Sequence, residues 1–247
     1  MTSWDFPTSD PIDLQIRIPA GDVTVHAVAV QAATVTLQAG RRGRDERYLD
    51  DTRVEFDHGT LSILAPERSG FARGGSLSVT VEVPAGSSCL VHTASADVDC
   101  TGTLSALDAY SASGNVTAER VSGVARVTTA SGDAHVGEAA EASLESASGD
   151  VSIGTVSGPA SAKTASGDVR IDAASGSRVE ARSTSGDIRV GVVPGIGVYL
   201  DLSTLSGTAS SELDPAGGES GGADMTLSCR TLSGDVLVTR AAQPATR

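Results

Sequence analysis

The tetrad Ser-Gly-Asp-Val, or a close variant, recurs along this chain and constrains its fold more than any other feature. It stands at Ser95-Ala96-Asp97-Val98, Ser113-Gly114-Asn115-Val116, Ser131-Gly132-Asp133-Ala134 and Ser148-Gly149-Asp150-Val151. It continues at Ser166-Gly167-Asp168-Val169, Ser185-Gly186-Asp187-Ile188, Ser206-Gly207-Thr208-Ala209 and Ser233-Gly234-Asp235-Val236. Successive serines lie 18, 18, 17, 18, 19, 21 and 27 residues apart. A short, nearly fixed period means one structural unit stacked on itself.

The unit can be read from its columns. With the tetrad serine at position zero, position +3 holds Val98, Val116, Ala134, Val151, Val169, Ile188 and Val236. Position +5 holds Cys100, Ala118, Val136, Ile153, Ile171, Val190 and Val238, and the residues between them are mostly polar. Position -4 holds Val91, Val127, Leu144, Ala162, Ala181 and Cys229, followed by polar residues at -3. Alternation of this kind is the period-two signature of a strand with one buried face. One strand therefore enters each corner and another leaves it. Glycine at the corner is free to take positive φ, and Asp can accept from nearby backbone amides. A second, weaker corner follows at Ser122-Gly123, Ser157-Gly158 and Ser175-Gly176.

These columns predict an all-β fold. It is a single-stranded parallel β-helix, or β-solenoid, with rungs of about 18 residues rising about 4.8 Å each. The bias of parallel crossovers favours a right-handed coil. The chain reads as one continuous domain. Residues 1–11 form an N-terminal cap or tail containing Trp4 and Phe6. Residues 12–90 form a less regular β region, and residues 91–240 the regular repeat. A loop at 210–223 is inserted in the last rung, and 241–247 form a C-terminal tail. Strands are expected at 35–37, 54–56 and 61–64, with protruding loops at 41–51 and 66–76.

Composition narrows the function classes. The chain is 39% hydrophobic but only 3% aromatic, which suits a narrow interior of Val, Ile, Leu and Ala. The formal net charge of -13 disfavours nucleic acid and anionic membranes as partners, because both require a basic surface. The first residues lack a basic and apolar leader pattern, and no apolar run approaches the ~20 residues of a membrane helix. The expectation is a cytoplasmic protein without membrane insertion.

The chain resembles the bacterial DUF4097 family of β-strand repeat proteins, sometimes labelled adhesins. The resemblance rests on Ala-Ser-Gly-Asp-Val at 147–151 and 165–169, Leu-Ser-Gly-Asp-Val at 232–236 and Val-Pro-Ala-Gly at 83–86, and spans roughly residues 10–240. It implies a β-helix-like solenoid and no established activity. Family members often carry a signal, lipid or membrane anchor.

The corner acids are the most prominent candidates for chemistry. Asp97, Asn115, Asp133, Asp150, Asp168, Asp187 and Asp235 form one column beside Gly114, Gly132, Gly149, Gly167, Gly186, Gly207 and Gly234. Calcium binding is weighed and set below turn capping, because each corner supplies one carboxylate and because Asn115 and Thr208 replace Asp without breaking the repeat. No metal or cofactor is expected. Cys89, Cys100 and Cys229 fall in apolar columns and read as small core residues. Cys89-x-x-His92 opens like a zinc half-site, but His92 falls in an outward column. His26, His58, His92 and His135 are scattered. Lys163, Arg170, Arg182 and Arg189 fall in outward columns near Glu145 and Glu180, as a solvated wall or a small patch for an acidic partner.

The expectation is thus a protein without catalytic residues, working as a rigid scaffold or interaction module for a protein partner. Homo-oligomers by end-to-end or edge pairing are open to it. The alternatives are an adhesin-like or carbohydrate-binding module and, below that, a β-helix carbohydrate-active enzyme. The last would need acids in a groove and aromatic sugar platforms.

Overall fold

In a computed structural model, the described residues are 1–40, 45–66, 75–213 and 224–242. They form nineteen strands and one short helix, α1 (Asp45–Asp50). The N-terminal strands are β1 (Thr2–Pro7), β2 (Asp13–Val28), β3 (Ala32–Ala39), β4 (Arg53–Asp57), β5 (Thr60–Leu64) and β6 (Leu77–Pro84). The middle of the chain holds β7 (Ser88–Leu104), β8 (Ala106–Ser111), β9 (Val116–Thr129), β10 (Ala134–Ser148), β11 (Val151–Val156), β12 (Ala160–Ser166) and β13 (Val169–Ala174). The C-terminal part holds β14 (Arg178–Arg182), β15 (Ile188–Val192), β16 (Val198–Ser206), β17 (Ala209–Ser211), β18 (Met225–Ser233) and β19 (Val236–Arg240). The architecture is all-β and open, with no closed barrel. No helix among the described residues is long and apolar enough to cross a membrane.

Two parallel ladders of one continuous nineteen-stranded sheet share one core. In the first, the +3 column runs in space as Val79, Val23, Val98, Val116, Ala134, Val151, Val169, Ile188, Val236 and Ala209. In the second, the -4 column runs Ile63, Ile16, Val91, Ala109, Val127, Leu144, Ala162, Ala181, Cys229 and Leu202. Most of these side chains are buried, and their outward neighbours are polar. The alternation read from the columns is therefore the alternation of the pleat.

The spatial order departs from the chain order at both ends, where each rung was expected to pair with the next in sequence. At the N-terminal end, β2 lies between β7 on one side and β5 and β6 on the other. At the C-terminal end, β18 and β19 lie between β14 and β15 on one side and β16 and β17 on the other. The chain leaves β15, skips one place, builds the last rung and then returns to fill the gap. Arg240 at the end of β19 secures the skipping segment. Its guanidinium donates to the carbonyls of Val193 at 3.4 Å and Ile196 at 3.2 Å.

The N-terminal end is closed by antiparallel strands. β3 pairs with β6, β1 pairs with β3, and β4 pairs with β5. Trp4 and Phe6 pack against the core, and the Phe6 and Phe56 rings lie 5.4 Å apart. The predicted strands at 35–37, 54–56 and 61–64 fall within β3, β4 and β5. The predicted loop at 41–51 needs correction. It contains α1, and Tyr48 is buried with its hydroxyl donating to the Pro66 carbonyl at 3.3 Å. An aromatic side chain with an apolar neighbour, Leu49, anchors the segment to the core rather than leaving it protruding. The remainder of that loop at 41–44, the centre of the next at 67–74, the insertion at 214–223 and the tail at 243–247 lie outside the described residues.

Candidate functional site

The corner is the most repeated constellation of polar groups, and it is built by two ladders. The first is the acid column. Asp97 Oδ1 accepts the amide N–H of Asn115 at 2.8 Å, and Asn115 Oδ1 accepts that of Asp133 at 2.9 Å. Asp133 serves Asp150, Asp150 serves Asp168, and Asp168 serves Asp187, at 2.8 to 2.9 Å. Asp187 then serves Asp235, and Asp235 serves Thr208. Each side chain thus caps the corner of the neighbouring rung rather than its own. Asn115 fits because an amide oxygen accepts as a carboxylate does. Thr208 fits because, among the described residues, it stands last in space and has no further corner amide to receive.

The second ladder was not anticipated from sequence. Position -2 holds Ser111, Thr129, Ser146, Thr164, Ser183 and Thr231, and all six side chains are buried. The Ser146 hydroxyl donates to the Gly132 carbonyl at 3.0 Å, Thr164 to Gly149 at 2.9 Å and Ser183 to Gly167 at 3.0 Å. Thr231 bonds Gly186 and Thr204 bonds Gly234 in the same way. The signal was available, since every tetrad has Ser or Thr two residues before its serine.

The corner glycines are required mainly by contact. A Cβ on Gly149 would lie 2.2 Å from the Gly132 carbonyl oxygen, and one on Gly132 would lie 2.1 Å from that of Gly114. The same close approach recurs at Gly114, Gly167, Gly186, Gly207 and Gly234. Positive φ occurs at the last four of these, so the turn conformation alone does not account for the column.

The cysteines lie inside. Cys89, Cys100 and Cys229 are all buried, with free thiols. A hydrogen bond with Cys100, and then burial, push the Cys89 thiol well above its usual value. Burial, with a smaller contribution from Asp201, pushes Cys229 up to about 12. His92 stands on the outer wall, with its ring 4.8 Å from that of Tyr110 and nearly parallel to it. Cys89 and His92 therefore face opposite sides of β7.

The outer walls are covered with matched charges. Lys163 pairs with Glu145 at 3.0 Å, Arg182 with Glu180, Arg170 with Asp172, and Arg189 with Asp187 at 3.4 Å. Arg120 pairs with Glu138 at 2.8 Å and Arg230 with Asp201 at 2.6 Å. Among the histidines, His26 and His135 bond Thr101 and Ser152, and His58 lies by Asp57. Open grooves run along the walls of the described residues. One of about 270 Å³ is lined by Arg126, Glu141, Ser161 and Glu180, and one of about 720 Å³ by Arg170, Asp172, Arg189 and Arg240. Among the described residues no cluster of three His, Cys, Asp or Glu side chains is placed to hold a metal.

Comparison with known proteins places this geometry. No curated protein matches the chain. Among solved structures, one from Parabacteroides distasonis ATCC 8503 named "Putative lipid binding protein" superposes with a TM-score of 0.55 at 17% identity, covering 96% of each chain. A "putative adhesin" from Parabacteroides merdae ATCC 43184 gives 0.49 at 12% identity, covering 98% of this chain and 96% of that one. Another from Bacteroides fragilis NCTC 9343 gives 0.47 at 13% identity, covering 97% of this chain and 96% of that one. At such identities a likeness concerns the fold alone. The family model described as Toastrack DUF4097 matches residues 13–239, nearly the whole stack, and the chain belongs to that family.

Proposed function

We propose that this protein is a non-catalytic β-solenoid scaffold, a rigid stack that presents its walls and loops to a protein partner. The observation that carries this reading is how the polar groups are used. Corner carboxylates are occupied by amides of neighbouring rungs, buried hydroxyls by glycine carbonyls, and outward cations by adjacent acids. Such groups hold a shape. A right-handed coil of ~18-residue rungs is part of this proposal, in keeping with the usual sense of parallel crossovers.

The test is purification under mild conditions with identification of co-purifying proteins, followed by binding measurements on wall variants. A stoichiometric partner that is lost on charge reversal of Arg170 and Arg189, or on removal of the loops, supports the scaffold. Binding that survives disruption of both walls and loops overturns the assignment of the surface.

A second reading, an adhesive or carbohydrate-binding module, is favoured by the stacked His92 and Tyr110 rings. Tyr110, 41% exposed, is the aromatic side chain a sugar could meet there. Thermal shift against a glycan panel, with Tyr110→Ala as control, tests it. Lipids belong in the same screen because of the name carried by the Parabacteroides distasonis structure.

A further inference from the structure

The two ends of the stack are built differently. The N-terminal end finishes in short antiparallel strands that carry edge-protecting residues: Asp5 and Pro7 in β1, and Arg53, Glu55 and Asp57 in β4. The C-terminal end finishes in β16, a nine-residue strand without Pro or Lys. Among the described residues, β16 pairs with β18 alone. The Met225 N–H donates to the Gly197 carbonyl at 3.0 Å, and the parallel register continues through Leu202↔Cys229. Backbone groups of odd-numbered residues in β16 therefore face β18. Those of Val198, Leu200, Leu202 and Thr204 face away from the stack.

The residues of β16 are arranged symmetrically about Leu202. Tyr199 and Leu205 lie three positions to either side, and they are 63% and 83% exposed. Val198, Leu200 and Leu202 pack only partly against the core. The one charge of the strand, Asp201, is held by Arg230 at 2.6 Å, and that guanidinium lowers its pKa. Among the described residues the edge is thus apolar, charge-compensated and unpaired.

We infer that β16 pairs antiparallel with β16 of a second copy, about a two-fold axis through Leu202. That register places Leu202 opposite itself and Leu200 opposite Thr204, with all their free backbone groups in hydrogen bonds. It sets each exposed Tyr199 against the partner copy's exposed Leu205. An axis normal to the sheets keeps inward faces inward, so the two cores meet end to end. The protected N-terminal ends stop growth at two copies. One strand pair buries little area, so association falls in the micromolar range, roughly 1–100 μM.

Sedimentation velocity over a concentration series tests this on the full chain. Wild type passes from monomer to dimer across that range. The double variant Tyr199→Lys with Leu205→Lys stays monomeric with an unchanged melting temperature, because both side chains are exposed. A wild type that remains monomeric at ~1 mM overturns the inference, as does a double variant that dimerises like wild type. The register has its own readout. Under mild oxidation, a mixture of Tyr199→Cys and Leu205→Cys proteins cross-links in far higher yield than either variant alone. Equal cross-linking of the single variants overturns the two-fold at Leu202.

Discussion

Asp235 Oδ1 accepts the amide of Thr208 at 2.8 Å, although Thr208 comes 27 residues earlier in the chain. Among the described residues the acid column therefore ends on the one member with no carboxylate or amide side chain, where no further rung needs capping. A column position has two roles, accepting through its side chain and donating through its backbone, and only the second survives at the end of the stack.

This separation predicts a graded set of substitutions at the column. Asp150→Asn keeps the acceptor for the Asp168 amide, as Asn115 does naturally, and changes stability by less than about 0.5 kcal/mol. Asp150→Ala removes it and costs about 1 kcal/mol. Thr208→Val is neutral within about 0.5 kcal/mol. Val151→Asp, one residue from Asp150, puts an unpaired charge into the core and abolishes cooperative unfolding. Urea melts of the four variants check the order. If Asp150→Asn is as damaging as Val151→Asp, the acid column does not act by capping.

Glycine contact and glycine conformation can be tested apart. A Cβ on Gly149 meets the Gly132 carbonyl at 2.2 Å, whereas Gly195, at φ +89°, has nothing within 4 Å. Gly149→Ala is expected to cost more than about 2 kcal/mol, because two rungs must separate. Gly195→Ala incurs only the backbone strain, about 1 kcal/mol. Thermal melts of both decide it; a loss at Gly149→Ala no larger than that at Gly195→Ala would mean that rung spacing does not select glycine.

The buried hydroxyls carry a similar expectation. Thr164→Val keeps the shape but removes the donor to the Gly149 carbonyl. The loss is about 1–2 kcal/mol, and Thr164→Ser restores most of it. A neutral Thr164→Val would show that the carbonyl finds another donor at no cost.

How much of this could be read beforehand follows from what a column encodes. Val151 against Val169, and Leu144 against Ala162, were legible because a one-residue slip would turn every apolar side chain outward. The place of Cys229 between Ala181 and Leu202 was not legible. All rungs present the same edges, so pairing chemistry does not record their order. The clues were the 27-residue spacing between Ser206 and Ser233 and the missing acid at Thr208. The hydroxyls at -2 were visible but looked like solvent-facing polar residues beside the corner. Tyr48 was hidden in a charged segment whose composition suggested a loop. Of the candidate surface, the charge pair Lys163–Glu145 followed from columns in register, and Arg182–Glu180 from outward positions two apart on one strand, while the His92–Tyr110 stack joins two rungs whose tetrads lack aromatic residues.

The thiols yield a prediction with a pH sign. Cys229 titrates at about 12 in the folded chain against an ordinary 9.0. Its contribution to stability is complete below pH 9.0 and is lost as pH rises toward 12. In that window it removes about 1.4 kcal/mol per pH unit, because the unfolded chain releases the proton first. Cys89 shifts in the same direction. Because all three thiols are buried, a thiol reagent at pH 8 is expected to leave them unmodified in the native protein and to label all three in denaturant. Rapid native labelling of Cys229 would mean that the C-terminal rungs open readily.

The exchanged order of the last rungs has a direct test in amide hydrogen exchange. If rungs stacked in chain order, β18 and β19 would form the outer edge, and β16 would be enclosed between β14 and β18. In the structure the reverse holds. The Thr226 N–H reaches the Ser177 carbonyl at 2.9 Å on the inner side, and the Met225 N–H reaches Gly197 at 3.0 Å on the outer side. In the monomeric Tyr199→Lys, Leu205→Lys variant, the amides of Leu200, Leu202 and Thr204 should exchange near unfolded-chain rates, since their strand edge is open. Those of Leu227 and Cys229 should be protected by ~10³-fold or more, as enclosed strands are. Strong protection at Leu202 with rapid exchange at Cys229 would restore chain order and remove the edge on which self-pairing depends.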